Sequence, residues 1–383
     1  MNISLQSLRP VGNPICLHKE SLNYTHFDET DVEFYQSGTA ALAAALIAAK
    51  QVRTETQTSY KVLLPAYACP DLISACHFAG VKPILIDLKP GSCWMSTEQI
   101  EAAICKHTIA IIAVRFLGIA ERMGILRAIC NKHNLVLIED SAQGFPVTNP
   151  EVYWQGDITI LSFGRGKPVN LLGGGAVLSK NNLLIQNLPI ANPKHNSILA
   201  PIKYLTKVFL YNILIRSLIY GMATRLPGLK IGETLYKPLL NISEIPASIR
   251  ARINTNIKLY KNLTNNSSAI HSRLCSLDIS GLIDLPKHCQ HNFSNPLLRY
   301  PLLINDIEIR NTLYRKLGNL GASLMYQKPL YKISGIPEHI FDNQNKMTNA
   351  EVFAQSLITL PTHAGVTEII QDEIFRIIRQ VVN

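Results

Sequence analysis

Strand-length apolar runs alternate with helical segments between residues 61 and 178, and this rhythm predicts an α/β fold. Such alternation implies a mostly parallel central sheet with helices on both faces. After Ser248 the rhythm changes, and a smaller α+β domain is expected. With 383 residues, 47% of them apolar and 17% charged, the chain is long enough for both and buries a sizeable core. The large α/β domain is placed at 1–245, with an apolar and basic insert at 200–240, and the small domain at 246–383.

Residues 1–35 carry Pro10, Gly12 and Pro14 with weak periodicity, and read as an irregular lead-in. Ser37-Gly38-Thr39 then precedes an alanine-rich run to Lys50 with high helix propensity. Ser37 has two readings: an ordinary helix cap, or part of a phosphate cradle in which free N–H groups and hydroxyls meet an anion. Lys61–Pro65 predicts a strand and Asp71–Ala79 a helix that Gly80 stops. Pro83–Asp87 predicts the next strand, followed by a helix Thr97–Cys105 capped by Thr97. Thr108–Val114 is a β-branched strand, Glu121–His133 a helix, and Leu135–Glu139 a strand ending on Asp140. Ligands of parallel sheets sit beyond the carboxyl ends of the strands, and Tyr67, Asp87, Arg115, Asp140 and Ser162 lie there.

Asp140 emerges from the apolar run Val136-Leu137-Ile138, where a carboxylate costs free energy unless it is paired. It is either the cap of the following turn or the partner of a protonated pyridine nitrogen. Ser162 to Gly175 reads as a loop between two buried strands, Ile158–Leu161 and Ala176–Leu178. Lys167 sits in that loop, next to glycines that let backbone approach a ligand closely. Burial favours the neutral amine, and a neutral lysine forms a Schiff base with an aldehyde such as pyridoxal phosphate. A solvated loop lysine is the plain alternative.

The net charge of +10 is spread along the chain without a run of five, so a solvated basic surface is expected and no nucleic-acid partner. Eight cysteines without a CxxC pair suit a reducing cytoplasm. His288-Cys289-Gln290-His291 has no matching second half, so no metal site is expected. The first residues lack the basic and apolar pattern of a signal peptide. Ile202–Leu226 is apolar but is interrupted by Lys203, Lys207, Arg216 and Arg225, too many charges for a membrane span. It is either an amphipathic helix on an anionic membrane or an interface or core helix with snorkelling cations. Pro227–Pro246 reads as a linker. The small domain is expected to hold helices at Ile249–Leu263, Ile307–Leu320, Asn349–Leu357 and Glu368–Val382, and strands at Leu297–Ile304 and Ala322–Tyr326.

Taken in order, Ser37-Gly38-Thr39, Pro65-Ala66-Tyr67-Ala68-Cys69-Pro70, Asp140-Ser141-Ala142-Gln143, Ser162-Phe163 with Lys167, and Leu360-Pro361-Thr362-His363-Ala364-Gly365 form a series of motifs. The series resembles the DegT/DnrJ/EryC1/StrS family of pyridoxal-phosphate-dependent sugar aminotransferases, from about residue 30 to the C-terminus. The resemblance implies a fold-type I pyridoxal-phosphate transferase acting as a homodimer. Lys167 would hold pyridoxal 5'-phosphate as a Schiff base and shuttle protons, and Asp140 would pair with the ring nitrogen. Gly38, Thr39 and Ser162 would hold the phosphate, and Gln143 would lie near the ring or its 3-hydroxyl. A residue of the Pro65–Pro70 motif stacks on the ring in many members; the aligned position is Cys69, with Tyr67 two before it. A second subunit would add an asparagine, for which Asn241 is the candidate. Arg115 departs from the family, in which many members have a histidine there. The implied activity is transfer of an amino group, commonly from glutamate, to a keto sugar on a nucleotide or lipid carrier, in surface polysaccharide or glycolipid assembly. The alternative is a cofactor-binding protein of the same fold with a regulatory or membrane-associated scaffold role and no transamination.

Overall fold

The computed structural model describes residues 7–27, 30–53, 59–148, 152–193, 199–223, 235–277, 280–341 and 346–382. A seven-stranded sheet runs in the order β1-β7-β6-β5-β4-β2-β3. Its strands are β1 (Asp31–Tyr35), β2 (Lys61–Pro65), β3 (Lys82–Ile86), β4 (Thr108–Val114), β5 (Val136–Asp140), β6 (Ile158–Ser162) and β7 (Gly175–Ser179). The five strands from β3 to β6 pair in parallel; β7 and β1 close one edge antiparallel. The parallel strands are nearly continuous apolar runs because both faces are covered.

The helices between them are α1 (Gly38–Gln51), α2 (Asp71–Ala79), α3 (Thr97–Ala103), α4 (Met123–His133) and the short α5 (Asn182–Gln186). Alanine dominates α1 because the helix lies directly on the sheet, where nine of its residues are buried. Only small side chains allow so close an approach. The cap of α3 is Ser96, whose hydroxyl accepts the N–H of Gln99, and not Thr97 as the sequence suggested.

The apolar segment folds as two helices, α6 (Ala200–Leu214) and α7 (Ser217–Ala223). Residues 224–226, and part of the expected linker at 227–246, lie outside the described residues. Next come α8 (Ala247–Arg250), α9 (Ile253–Asn262) and α10 (Ser267–Cys275), so the helix expected over Ile249–Leu263 is broken. A three-stranded antiparallel sheet, β10-β9-β8, joins β8 (Leu282–Asp284), β9 (Arg299–Ile304) and β10 (Leu357–Pro361). Around it lie the short α11 (Leu285–His288), α12 (Ile307–Leu317), α13 (Thr348–Ser356) and α14 (Glu368–Val382). Ala322–Tyr326 is not a strand: Met325 has φ +53, outside the range of extended backbone, and only Ser323 bridges to Thr359.

One apolar core cluster runs from α1 and the parallel strands through to α12, α13 and α14, so the small sheet packs on the same interior as the large one. Tyr67 marks the seam: its ring meets Phe353 of α13 at 4.9 Å and Tyr326 at 5.6 Å.

Candidate active site

The carboxyl ends of β4, β5 and β6 lie side by side, with Val114 opposite Asp140 and Asp140 opposite Ile160. The first turn of α1 is pressed against the end of β6: a Cβ on Gly38 would stand 2.7 Å from Cβ of Ser162. Only glycine fits there, and the contact brings the helix N-terminus, with N–H groups that have no intrahelical acceptor, to the sheet edge. A cavity opens at this point, lined by Gly38, Thr39, Asp140, Gln143, Ser162 and Lys167, together with Cys69, Asp71 and Tyr326.

Asp140 is buried at the end of β5. Its Oδ1 accepts the N–H of Ala142 at 3.0 Å, while Oδ2 accepts no hydrogen bond among the described residues. Burial pushes the Asp140 carboxyl above the ordinary aspartate range, and Asp71 and Glu139 add to this; the Ala142 N–H and the charge of Lys167 act in the opposite direction. Asp140 is therefore a carboxylate lacking a full complement of partners, and it lines a cavity.

Lys167 is half-buried on the loop between β6 and β7. Backbone bonds from Leu171 and Gly173 to the carbonyl of Phe163 fold this loop back on itself. Asn13 ties it from outside, donating to the carbonyl of Pro168 at 3.2 Å and accepting from Asn170 at 3.2 Å. The lead-in segment thus braces the lysine loop, a function that its irregular sequence did not announce.

Gln143 is fixed at both ends of its amide. Its Oε1 accepts the N–H of Leu117 at 2.8 Å, and its Nε2 donates to the Tyr326 hydroxyl at 3.3 Å. Burial and the neighbouring Asp71 push the Cys69 thiol up to about 12, so it stays protonated and acts as a small neutral side chain.

Three expected residues do not line this cavity. Ser37 caps α1, with its hydroxyl accepting the N–H of Ala40 at 3.1 Å. Tyr67 is turned into the core, where its hydroxyl donates to the carbonyl of Tyr326 at 2.8 Å, because its ring is worth more among Phe116 and Phe353 than at a polar edge. Asn241 is exposed and holds Gln36, whose Nε2 donates to its carbonyl at 2.6 Å. Asp87, also expected at the ligand edge, instead accepts the N–H groups of Asn349 and Ala350 at 3.0 and 2.8 Å.

Arg115 lines the cavity, and its guanidinium is held in a buried pair with Glu139, at 2.6 Å, and stacks 3.9 Å above the Tyr153 ring. Gly144 makes room for it: a Cβ there would lie 2.4 Å from Cδ of Arg115. Sequence reasoning missed Asp71 and Tyr326. Asp71 directly follows the Pro65–Pro70 motif and could have been found with it, whereas Tyr326 is brought in only by the tertiary fold.

The fold is shared with solved aminotransferase structures. A putative sugar aminotransferase of Streptococcus pneumoniae in its PMP form superposes with a TM-score of 0.68, at 20% identity, over 94% of this chain and 89% of that one. Residues 26–195, which contain every strand of the large sheet, match the model of the DegT/DnrJ/EryC1/StrS aminotransferase family. GDP-perosamine synthase of Vibrio cholerae is 28% identical over 178 residues, 46% of this chain and 47% of that protein. The 3-oxo-glucose-6-phosphate:glutamate aminotransferase of Bacillus subtilis (strain 168) is 29% identical over 183 residues, 47% of this chain and 40% of that protein. The aligned stretches span less than half of these two relatives.

Proposed function

We propose that the chain is a pyridoxal-phosphate-dependent aminotransferase that moves an amino group, with glutamate as donor, onto a keto sugar. The observation that carries this reading is the meeting of Lys167, an under-partnered Asp140 and the N-terminus of α1 around one cavity. These groups fit the cofactor's chemistry. The helix end with Thr39 and Ser162 suits a phosphate, Asp140 a protonated pyridine nitrogen, and Lys167 an aldehyde.

When bound, the cofactor supplies an electron sink for the carbon losing its proton. Asp140 would hold a positive charge at the ring nitrogen, which would keep the sink effective. Lys167 Nζ would attach the cofactor and would take up and return the proton. Gln143, held by Leu117 and Tyr326, keeps one wall of the cavity fixed. The activities named for the relatives support a sugar acceptor, on a nucleotide in one case and as a sugar phosphate in another, and one of them names glutamate. A homodimer in which Asn241 reaches the partner's phosphate site completes the reading.

Borohydride reduction in the presence of pyridoxal phosphate, followed by peptide mass mapping, tests it. The expected result is an adduct on Lys167, with turnover of glutamate and a keto sugar that Lys167→Ala abolishes. An adduct elsewhere, or none, overturns the cofactor assignment; an adduct without turnover of any keto sugar overturns the aminotransferase reading.

A further inference from the structure

Helix α6 is apolar on two opposite sides. Tyr204, Val208 and Tyr211 form a buried stripe against the large sheet's second core cluster. At about 100° per residue, Ile202, Phe209 and Ile213 fall roughly diametrically opposite that stripe. Ile202 is 59% exposed, Phe209 60% and Leu210 59%. The following helix, α7, adds exposed Leu218 and Met222. Contiguous exposed apolar side chains of this size mark a surface that something covers.

The charges around the patch say what covers it. Lys203 lies beside the apolar face and Arg216 between the two helices, both exposed, while Lys207, also exposed, donates to the carbonyl of Leu172 at 3.4 Å. Between Asp157 and Glu233 the sequence contains no acidic residue. A two-fold interface centred on this patch would set it against itself, bringing cations together with no carboxylate from the same stretch to pair them. An anionic bilayer offers what is missing, an apolar interior beneath a negative surface. Among the described residues no helix is long and apolar enough to cross a membrane, so α6 would lie in the interface rather than span it. We infer that the exposed face of α6 and α7 docks on an anionic lipid surface, with Ile202, Phe209 and Leu210 inserted and Lys203 and Arg216 at the headgroups. The inference stands independently of the sugar chemistry. It also fixes where the site would sit, because the Tyr204 hydroxyl donates to the carbonyl of Leu171 at 3.2 Å, on the loop that carries Lys167.

The test is co-sedimentation of the full chain with vesicles of phosphatidylcholine, with and without phosphatidylglycerol, at low and high salt. Binding is expected only with phosphatidylglycerol, and it should weaken as salt rises. Phe209→Ser with Leu210→Ser should lower it about tenfold or more, as should Lys203→Glu with Arg216→Glu, with unchanged thermal melting. Should the serine pair melt early, the charge-reversed pair decides alone. Equal binding by both pairs, or no binding by the unaltered chain, overturns the inference. If the serine pair instead splits an oligomer in sedimentation velocity, a second copy covers this face.

Discussion

Asp140 bears the sharpest consequence at the scale of a single residue. Burial disfavours its charged form, and among the described residues one of its oxygens lacks a donor. Without cofactor, Asp140→Asn should therefore leave the melting temperature unchanged or slightly higher. With cofactor, the same variant should lose kcat by about 100-fold or more, roughly 2.7 kcal/mol, as the ring nitrogen loses its counter-charge. Cofactor-dependent stabilisation, read by melting with and without pyridoxal phosphate, should shrink in parallel. A variant that keeps full kcat would remove Asp140 from the proposed role. This residue was legible in the sequence because a lone carboxylate at the end of an apolar strand is chemically out of place. Tyr67 was misread for a related reason. Its position beyond a strand end was right, but the direction of its side chain is set by Phe116, Phe353 and Tyr326, which come from distant parts of the chain.

At the scale of elements, the site depends on how closely α1 lies against β6. A methyl group on Gly38 would meet Cβ and Oγ of Ser162 at 2.7 and 2.9 Å. Gly38→Ala should cost about 1–3 kcal/mol of overpacking and push the helix end away from Ser162. Titration followed by cofactor absorbance should then show weakened binding. Beneath the cavity, Glu139 accepts from Arg115 at 2.6 Å and from the N–H groups of Gln155 and Gly156 at 2.7 and 3.2 Å. Glu139→Ala strands a buried guanidinium and should cost about 3–5 kcal/mol, read as a lower denaturant midpoint. Strand and helix positions were legible where apolar periodicity is strong, as in β4 and α14. They were misplaced where a local cap or a positive φ decides, as at Ser96 and Met325.

The whole molecule is tied together by polar side chains that reach between distant segments. Asp87, at the end of β3, caps α13 through the N–H groups of Asn349 and Ala350. Asp87→Ala should cost about 1–2 kcal/mol, measured by thermal melting. His363 joins the two ends of the described chain: its Nε2 donates to the carbonyl of Arg9 at 2.9 Å and its Nδ1 accepts from Gly365 at 3.1 Å. The bond from Gly365 needs the neutral ring, because a protonated Nδ1 cannot accept. Burial, helped by the charge of Arg9, lowers its pKa from the usual 6.5 to about 4. As pH falls, the unfolded chain takes up this proton before the folded one does. The stability tied to His363 is therefore full above about 6.5 and is lost progressively on the way down to about 4. Melting temperatures across that window should fall less steeply for His363→Gln than for the unaltered chain.

By itself the sequence determined the α/β alternation, the parallel strands and the motif residues at their carboxyl ends, because strand burial and helix periodicity are local patterns read one segment at a time. It also determined the residues with conspicuous local chemistry, Lys167 and Asp140. Only the tertiary structure decided which of the named residues share a cavity. It brought Asp71 and Tyr326 in, turned Tyr67 away, tied the Arg115 guanidinium to Glu139, and gave Asp87 and Ser37 to helix ends. A side chain's direction depends on packing and hydrogen bonds from segments hundreds of residues apart, and no local pattern encodes those.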